Sequence, residues 1–334
     1  MIVGDLGERK LIERIREVVE LYAGTPISRD DAAILDLSDH SRVVLTTDRV
    51  PVDLLSLRAG LMTMEDLGRY VVEVNVSDLV ATAAQPIGFL LNLGMPPSLP
   101  VEAFEALITG VVRRTVEVGA PLIGGDTKSA PELQIVGVGV GEIPVGMAPV
   151  HRSSAAPGDE LRVSGTLGAF GAALAYFFRE DRRRRLPKPL ESRLVTKLVR
   201  PRARLDLLPE VNKTCSACID ITDGLTESVL ELERASGCEF EIDSTLLPID
   251  PLVEEVALFL NVDAIDVVLG IGLDLELLHC SRTKLKMSDS TKIGFATDRS
   301  GRGSRILRDS RWLPLQPKVG FEHLAGDAAS YITH

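Results

Sequence analysis

MEDLGRYVVEVNVSDLVATAAQPIGFLLNLG, residues 64–94, sets two hydrophobic periods side by side. Leu67, Val71, Val74 and Leu79 recur at helical spacing and predict a long helix over 64–84. The apolar run from Gly88 to Leu93 predicts a strand, closed by Gly94-Met95-Pro96-Pro97. Working toward the N-terminus, VVLTTD (43–48) reads as a short strand ending in a polar tip. Leu11, Ile12, Ile15, Val18, Val19 and Tyr22 mark one face of an amphipathic helix over 8–22. In the other direction, Phe104, Leu107, Ile108, Val111 and Val112 predict a further helix. Ala120–Ile123 is a buried strand running into Gly124-Gly125-Asp126, and 133–143 is a glycine-spotted strand. This alternation predicts an α/β or α+β protein.

Prolines and glycines cluster over 144–158 around His151-Arg152-Ser153-Ser154, which suits a domain boundary. The expected division is 1–148 and 149–334. The second half opens with a strand over Glu160–Ser164, the turn Gly165-Thr166-Leu167-Gly168 and a small-residue helix over 169–178. A chain of 334 residues suits two compact domains. Its net charge of −11 argues against nucleic-acid and anionic-membrane partners, which need a positive field. No run of about 18 apolar residues occurs, so no membrane span is expected. MIVGDLGERK puts charges where a signal peptide needs an apolar stretch, and a cytoplasmic location follows as the expectation.

Cys215 and Cys218 form a C-x-x-C, open to reading as a redox pair, half a zinc site, or small buried thiols. No second C-x-x-C or histidine pair accompanies it, and the core reading is preferred. Arg182 to Arg204 is strongly basic without interleaved aromatics, which predicts a solvated loop and helix face. Trp312 is expected to pack near a C-terminal core. The five histidines, His40, His151, His279, His323 and His334, are scattered without metal-ligand spacing and default to surface or packing roles.

The chemical signal is a set of aspartates at strand ends and turns. Asp30 and Asp31 stand in RDDAAI, Asp48 in TTD, Asp78 in NVSD, Asp126 in GGDT, and Asp220 and Asp223 in DITDGL. Each alone is compatible with a cap or a turn. Together they suggest converging carboxylates, which repel unless a hard cation such as Mg²⁺ neutralises them. Magnesium in turn implies a phosphate-bearing partner. Asn75 and Asp78 lie three apart and share a helix face. Neither a P-loop nor a kinase glycine-rich loop is present, so phosphates would be held mainly through metals.

DDAAIL, VVLTTD, NVSDLVATAAQP, LIGGDT, RSSAAPGD, SGTLG, RPRARL and IDITDGL occur in the order seen in thiamine-phosphate kinases. The chain resembles that family, within the superfamily of aminoimidazole ribonucleotide synthetase and selenide water dikinase. The resemblance implies a mixed-sheet N-terminal domain, paired into a barrel across a homodimer, and an α/β C-terminal domain. It implies ATP and Mg²⁺ as cofactors and a small phosphorylated metabolite as acceptor. Carried over by motif, the metal ligands would be Asp30, Thr46, Thr47, Asp48, Asp78, Asp126, Asp220 and Asp223. Asp126, Asp220 and Asp223 would carry the catalytic centre. Asp30, Thr46, Thr47, Gly124, Gly125, Thr127, Arg152 and Thr222 would form the nucleotide site.

Departures fall on the acceptor side. The family's glycine–x–histidine–phenylalanine run is replaced by Arg49-Val50-Pro51-Val52-Asp53-Leu54-Leu55. Its glycine-glutamate-aspartate-tyrosine-glutamate-leucine motif is replaced by Gly272-Leu273-Asp274-Leu275-Glu276-Leu277, and its glycine-glutamate-phenylalanine by Gly7-Glu8-Arg9. Gly320-Phe321-Glu322-His323 keeps an echo of a further acceptor-side motif. Three readings follow: a divergent thiamine-phosphate kinase, a paralogue that phosphorylates or activates another small molecule, and a nucleotide-binding protein without turnover. The retained aspartates disfavour the third, since an idle site has little reason to hold clustered like charges.

Overall fold

The computed structural model describes residues 8–23, 29–37, 41–50, 55–179, 183, 185–282 and 286–316. The first half is built on a mixed sheet of five strands: β1 (Ala33–Asp36), β2 (Arg42–Val50), β3 (Gln85–Met95), β4 (Leu122–Ser129) and β5 (Gln134–Ile143). Their order is β1-β2-β5-β3-β4, antiparallel except for the β3–β4 pair. With it run α1 (Glu8–Ala23), α2 (Leu55–Arg58), α3 (Met64–Ala81) and α4 (Val101–Glu117). The long helix thus ends three residues before the expected 84, and β4 takes in the whole GGDT segment rather than stopping before it.

α3 begins at a reciprocal cap. Thr63 Oγ1 accepts from the Asp66 amide at 3.1 Å, and Asp66 Oδ2 accepts from the Thr63 amide at 3.2 Å. The glycine spotting of β5 has a packing cause. A Cβ at Gly137 would meet Asn75 at 2.5 Å and one at Gly139 would meet Thr46 at 3.0 Å, so the missing side chains let α3 lie close on the sheet. α3 and α4 approach just as closely. A Cβ at Gly68 would lie 2.1 Å from the Leu107 carbonyl oxygen, and one at Gly110 would lie 2.0 Å from that of Glu65.

α3 and α4 cover one face of this sheet. The other face carries half-buried Val43, Leu45, Val136, Val138 and Val140 and exposed Ile87 and Ile123. No described element packs over it. The apolar face of α1 is also uncovered, with Ile15, Val18, Leu21 and Tyr22 exposed.

The second half holds seven strands: β6 (Glu160–Ser164), β7 (Ala217–Asp220), β8 (Glu239–Asp243), β9 (Leu277–Ser281), β10 (Ser290–Thr297), β11 (Arg305–Arg308) and β12 (Arg311–Pro314). Their order is β12-β11-β8-β10-β6-β9-β7, with β8–β11 the parallel pair. The helices are α5 (Ala169–Phe178), α6 (Lys188–Val199), α7 (Leu208–Thr214), α8 (Leu225–Ser236), α9 (Pro251–Leu260) and α10 (Ala264–Val268). One buried carboxylate, Glu73, links the halves. Arg114 Nε lies 2.7 Å from Glu73 Oε1, both side chains almost fully buried, and Glu73 Oε2 also accepts from the Ala203 amide at 2.9 Å.

Two expectations need correction. The basic segment is not merely a solvated face: Arg204 bridges Asp206, Glu276 and Asp289, and Arg200 reaches Asp66 at 2.8 Å. Arg182 and Arg184 lie outside the described residues. Trp312 is 43% exposed on the end strand β12, with the Arg305 guanidinium 4.7 Å from its ring centre, rather than packed in a core.

The close helix contact makes a direct prediction. Gly110→Ala forces α3 and α4 apart and lowers unfolding free energy by roughly 1–3 kcal/mol, as overpacking does. Chemical denaturation measures it, and an unchanged midpoint would contradict the close approach.

Candidate active site

Carboxylates from four places in the chain meet between α3 and β7. One oxygen from each of Asp31, Asp78 and Asp220 lies within 4.8 Å of the others. Asp48 lies beside Asp78, close enough for the two carboxylates to act on each other. Asp78 sits on the face of α3 that meets β2 and β7, and Asp220 ends β7. Alternation along β2 turns Thr46 and Asp48 toward α3, and Thr47 and Arg49 to the opposite face. Thr46 Oγ1 donates to Asp78 Oδ2. Arg152, in the turn Arg152–Ser154, clamps Asp31 with two guanidinium nitrogens, Nε at 3.0 Å from Oδ2 and Nη2 on Oδ1.

The electrostatics follow from burial and crowding. Burial pushes the Asp78 carboxyl well above its usual range, and the charges of Asp220, Asp48 and Asp31 push it further. Asp220 is raised likewise by burial and then Asp31, although the neighbouring Ser77 hydroxyl and the Arg152 charge pull it back. Asp48 is raised chiefly by burial. Burial disfavours the Arg152 cation, but the adjacent Asp31 outweighs that and keeps it charged. One guanidinium cannot neutralise four carboxylates. Asp48 Oδ2 and Asp220 Oδ2 are buried with no hydrogen-bond donor, a costly arrangement unless a cation supplies the missing partner. Hard oxygen donors at this spacing fit Mg²⁺.

Asp30 and Asp31 divide the work differently from the motif-based expectation. Asp30 turns to His151, 2.6 Å from Nδ1, and to the Arg152 amide at 2.9 Å, while Asp31 enters the cluster. The same bond raises the His151 pKa, so this histidine is a structural partner rather than a scattered surface group. Thr222 is half-buried and Asp223 exposed in the loop after β7. The buried phenol of Tyr70 is raised first by burial and then by the charges of Asp48 and Asp223, which puts Asp223 at the same mouth. Thr47 points away, its hydroxyl on the Gly137 carbonyl at 3.0 Å.

Asp126 does not reach the cluster within one protomer. Gly124, Gly125, Asp126 and Thr127 lie on the exposed edge strand β4. Two strands separate β4 from β2, so Asp126 is about 14 Å from Asp48 at ordinary strand spacing. Register also puts its side chain on the wrong face: Asp126 pairs with Asn92, Asn92 with Val136 and Val136 with Arg49, all on the uncovered side.

The retained carboxylates of the 272–277 motif serve as anchors. Asp274 accepts from the amides of Gly168 at 2.8 Å and Phe170 at 3.3 Å, capping α5 from outside. Glu276 accepts from Ser164 and from Arg204, the latter at 2.6 Å. Between them Leu275 adopts φ +52°, with its amide on the Ile221 carbonyl, locking this loop against the one that carries Thr222 and Asp223. Of the other acceptor-side positions, Gly7, 51–54 and 320–323 lie outside the described residues, as do the side chains of Glu8 and Arg9 and the histidines 40, 323 and 334.

Asp31 and Tyr70 are the site residues that motif reading did not assign. The tandem Asp30-Asp31 held the signal for the first, since only one of two neighbours can face a given side. Tyr70, on α3 two turns before Asp78, was legible only as a buried aromatic.

The chain matches the family profiles of AIR synthase related protein, the N-terminal domain over residues 29–143 and the C-terminal domain over 156–272. It is 30% identical over 300 residues to a thiamine-monophosphate kinase of Pyrococcus abyssi, covering 89% of this chain and 90% of that protein. A thiamine-monophosphate kinase of Aquifex aeolicus is 30% identical over 325 residues, covering 97% and 100%. Among solved structures, AaThiL complexed with AMPPCP and TMP superposes with a TM-score of 0.85 at 29% identity, covering 97% of this chain and 99% of that one. Escherichia coli HypE, a hydrogenase maturation protein, shares the fold at a TM-score of 0.62 and 23% identity. The chain belongs to the AIR synthase related proteins, in their thiamine-monophosphate kinase family.

Proposed function

We propose that this protein is an ATP- and Mg²⁺-dependent kinase that transfers the γ-phosphate of ATP to the phosphate of thiamine monophosphate, working as a homodimer of two-domain subunits divided near residue 148. A cytoplasmic setting belongs to the same reading; no described helix is long and apolar enough to cross a membrane. The observation that carries the proposal is the buried carboxylate cluster with its donorless Asp48 and Asp220 oxygens, in a family named for this activity.

Asp31, Asp48, Asp78 and Asp220 would hold Mg²⁺, with Asp223 at the mouth. When bound, the ion supplies the positive charge that screens the phosphates and the charge developing between them. The chain's own groups do the rest. Arg152 fixes Asp31, Thr46 orients Asp78, and Asp30 with His151 pins the Arg152 backbone, so the ligands are set before substrate arrives. In-line transfer needs little more than positioning and charge: an acceptor phosphate oxygen attacks the γ-phosphorus and ADP leaves.

The uncovered apolar sheet face supports the homodimer, because a monomer leaving that face in water forgoes its burial. Asp126, Thr47 and Arg49 lie on the same face, so in this reading Asp126 reaches the nucleotide of a second copy. A second acceptor remains in view for a specific reason. The family's tyrosine is Leu275 here and its histidine run is gone, so another small phosphorylated metabolite fits the same machinery. ADP release with thiamine monophosphate against a panel of phosphorylated metabolites decides between them. Turnover with thiamine monophosphate alone supports the main reading, and turnover with none overturns both.

Three further outcomes are expected. Asp220→Asn lowers kcat by at least about a hundredfold, the loss implied by removing several kcal/mol of charge stabilisation; near-normal turnover would contradict the assignment. Asp126→Ala and Asp220→Ala subunits, each inactive, recover activity when mixed and refolded together, because one heterodimer site is intact; no recovery would contradict a shared site. Mg²⁺ raises Tm more at about pH 8 than at about pH 5.5. The folded pKa values of Asp48, Asp78 and Asp220 lie above their unfolded values, so the metal-free fold loses stability as pH rises from about 4 through the folded values. Cation binding to the ionised cluster reverses that loss. Equal shifts at both pH values would contradict the arrangement.

A further inference from the structure

The C-x-x-C lies directly behind the carboxylate cluster. Cys215 ends α7, its amide on the Val211 carbonyl, and is half-buried. The chain bends at Ser216, whose amide meets the Cys280 carbonyl at 2.8 Å, and enters edge strand β7. Cys218 is buried on β7 two residues before Asp220, directly across from His279 on β9, so the thiol and the imidazole share a face. The two thiols lie close enough for each to act on the other's ionisation. His279 is fully buried, its ring nitrogens meet no oxygen or nitrogen partner, and Cys215 is the group it acts on. A buried imidazole whose polar neighbours are thiols costs desolvation that an apolar residue filling the same space would avoid. Cys218 and the neighbouring His279 hold the Cys215 thiol well below its usual pKa, favouring the nucleophilic thiolate.

We propose that Cys215 and Cys218 are a reversible oxidation site that closes to a disulfide by exchange with a small-molecule disulfide and thereby displaces Asp220. Cys215 attacks one sulfur of the small disulfide, forms a mixed disulfide and expels one thiolate. Cys218 attacks the Cys215 sulfur and expels the second thiolate, which takes the Cys218 proton. The protein loses two protons and two electrons, and the small disulfide becomes two thiols. Closing the gap to a bond of about 2.05 Å draws on the bend at Ser216 and the edge strand that ends in Asp220. Only the effect on turnover rests on the kinase reading above.

The test incubates the full-length protein with oxidised glutathione and follows intact mass, peptide mapping and turnover. The expected result is loss of two hydrogens, a Cys215–Cys218 crosslink, a fall in turnover of about tenfold and full reversal by dithiothreitol. Cys218→Ala retains a mixed glutathione adduct on Cys215, and Cys215→Ala turns over normally and ignores the oxidant. An oxidised wild type that carries only a glutathione adduct, a bridge to Cys238 or Cys280 instead, or bound Zn²⁺ holding both thiols overturns the site. A bridge that forms while turnover is unchanged overturns the coupling to Asp220. Should no acceptor support turnover at all, mass and the Mg²⁺-induced Tm shift still decide, so the two readings fail separately.

Discussion

Mutual repulsion among Asp31, Asp48, Asp78 and Asp220 is the constraint around which the rest of the chain is arranged. Four crowded carboxylates near one guanidinium are unfavourable alone, and burial and crowding push Asp78 and Asp220 toward their protonated forms. The scaffold must therefore hold in place groups that would move apart if free. Three are fixed from behind: Asp31 by Arg152, Asp78 by Thr46, and Asp220 by the β7–β9 ladder. In the proposed reading, a divalent cation bound among them would relieve that repulsion.

Packing provides the stiffness. The glycines of β5 bring α3 onto the sheet, and Gly68 and Gly110 bring α4 onto α3, so Asp78 sits on a helix with little room to shift. The Glu73–Arg114 pair, with the Ala203 amide, binds this helix pair to the loop ahead of α7. Such a buried pair contributes little net stability, but losing one partner leaves an uncompensated charge. Glu73, held by Arg114 in the first half and bonded to the Ala203 amide in the second, therefore acts as a register pin between the two halves.

Much of this was legible from residues alone. The long helix expected over 64–84 and the strand expected over 88–93 followed from apolar spacing and are found over 64–81 and 85–95, and the aspartate loops pointed to converging carboxylates. Three features were not legible for physical reasons. Which of Asp30 and Asp31 enters the cluster depends on His151 and Arg152, more than a hundred residues away. The separation of Asp126 from Asp48 depends on sheet order, which places β5 and β3 between their strands, and no local pattern encodes that. The role of the Asp274 and Glu276 carboxylates as anchors depends on amides and cations from α5 and from the 200–205 loop. Arg204 misled in the same way, reading as part of a solvated run while serving as a three-way bridge.

The most direct test of the central claim is crystallography of the protein with Mn²⁺ and a non-hydrolysable ATP analogue, with the ions located by anomalous scattering. The account predicts anomalous peaks within bonding distance of Asp31, Asp78 and Asp220, with Asp30 still on His151. Ions bound at Asp30 instead, or an empty cluster beside a bound nucleotide, would contradict it.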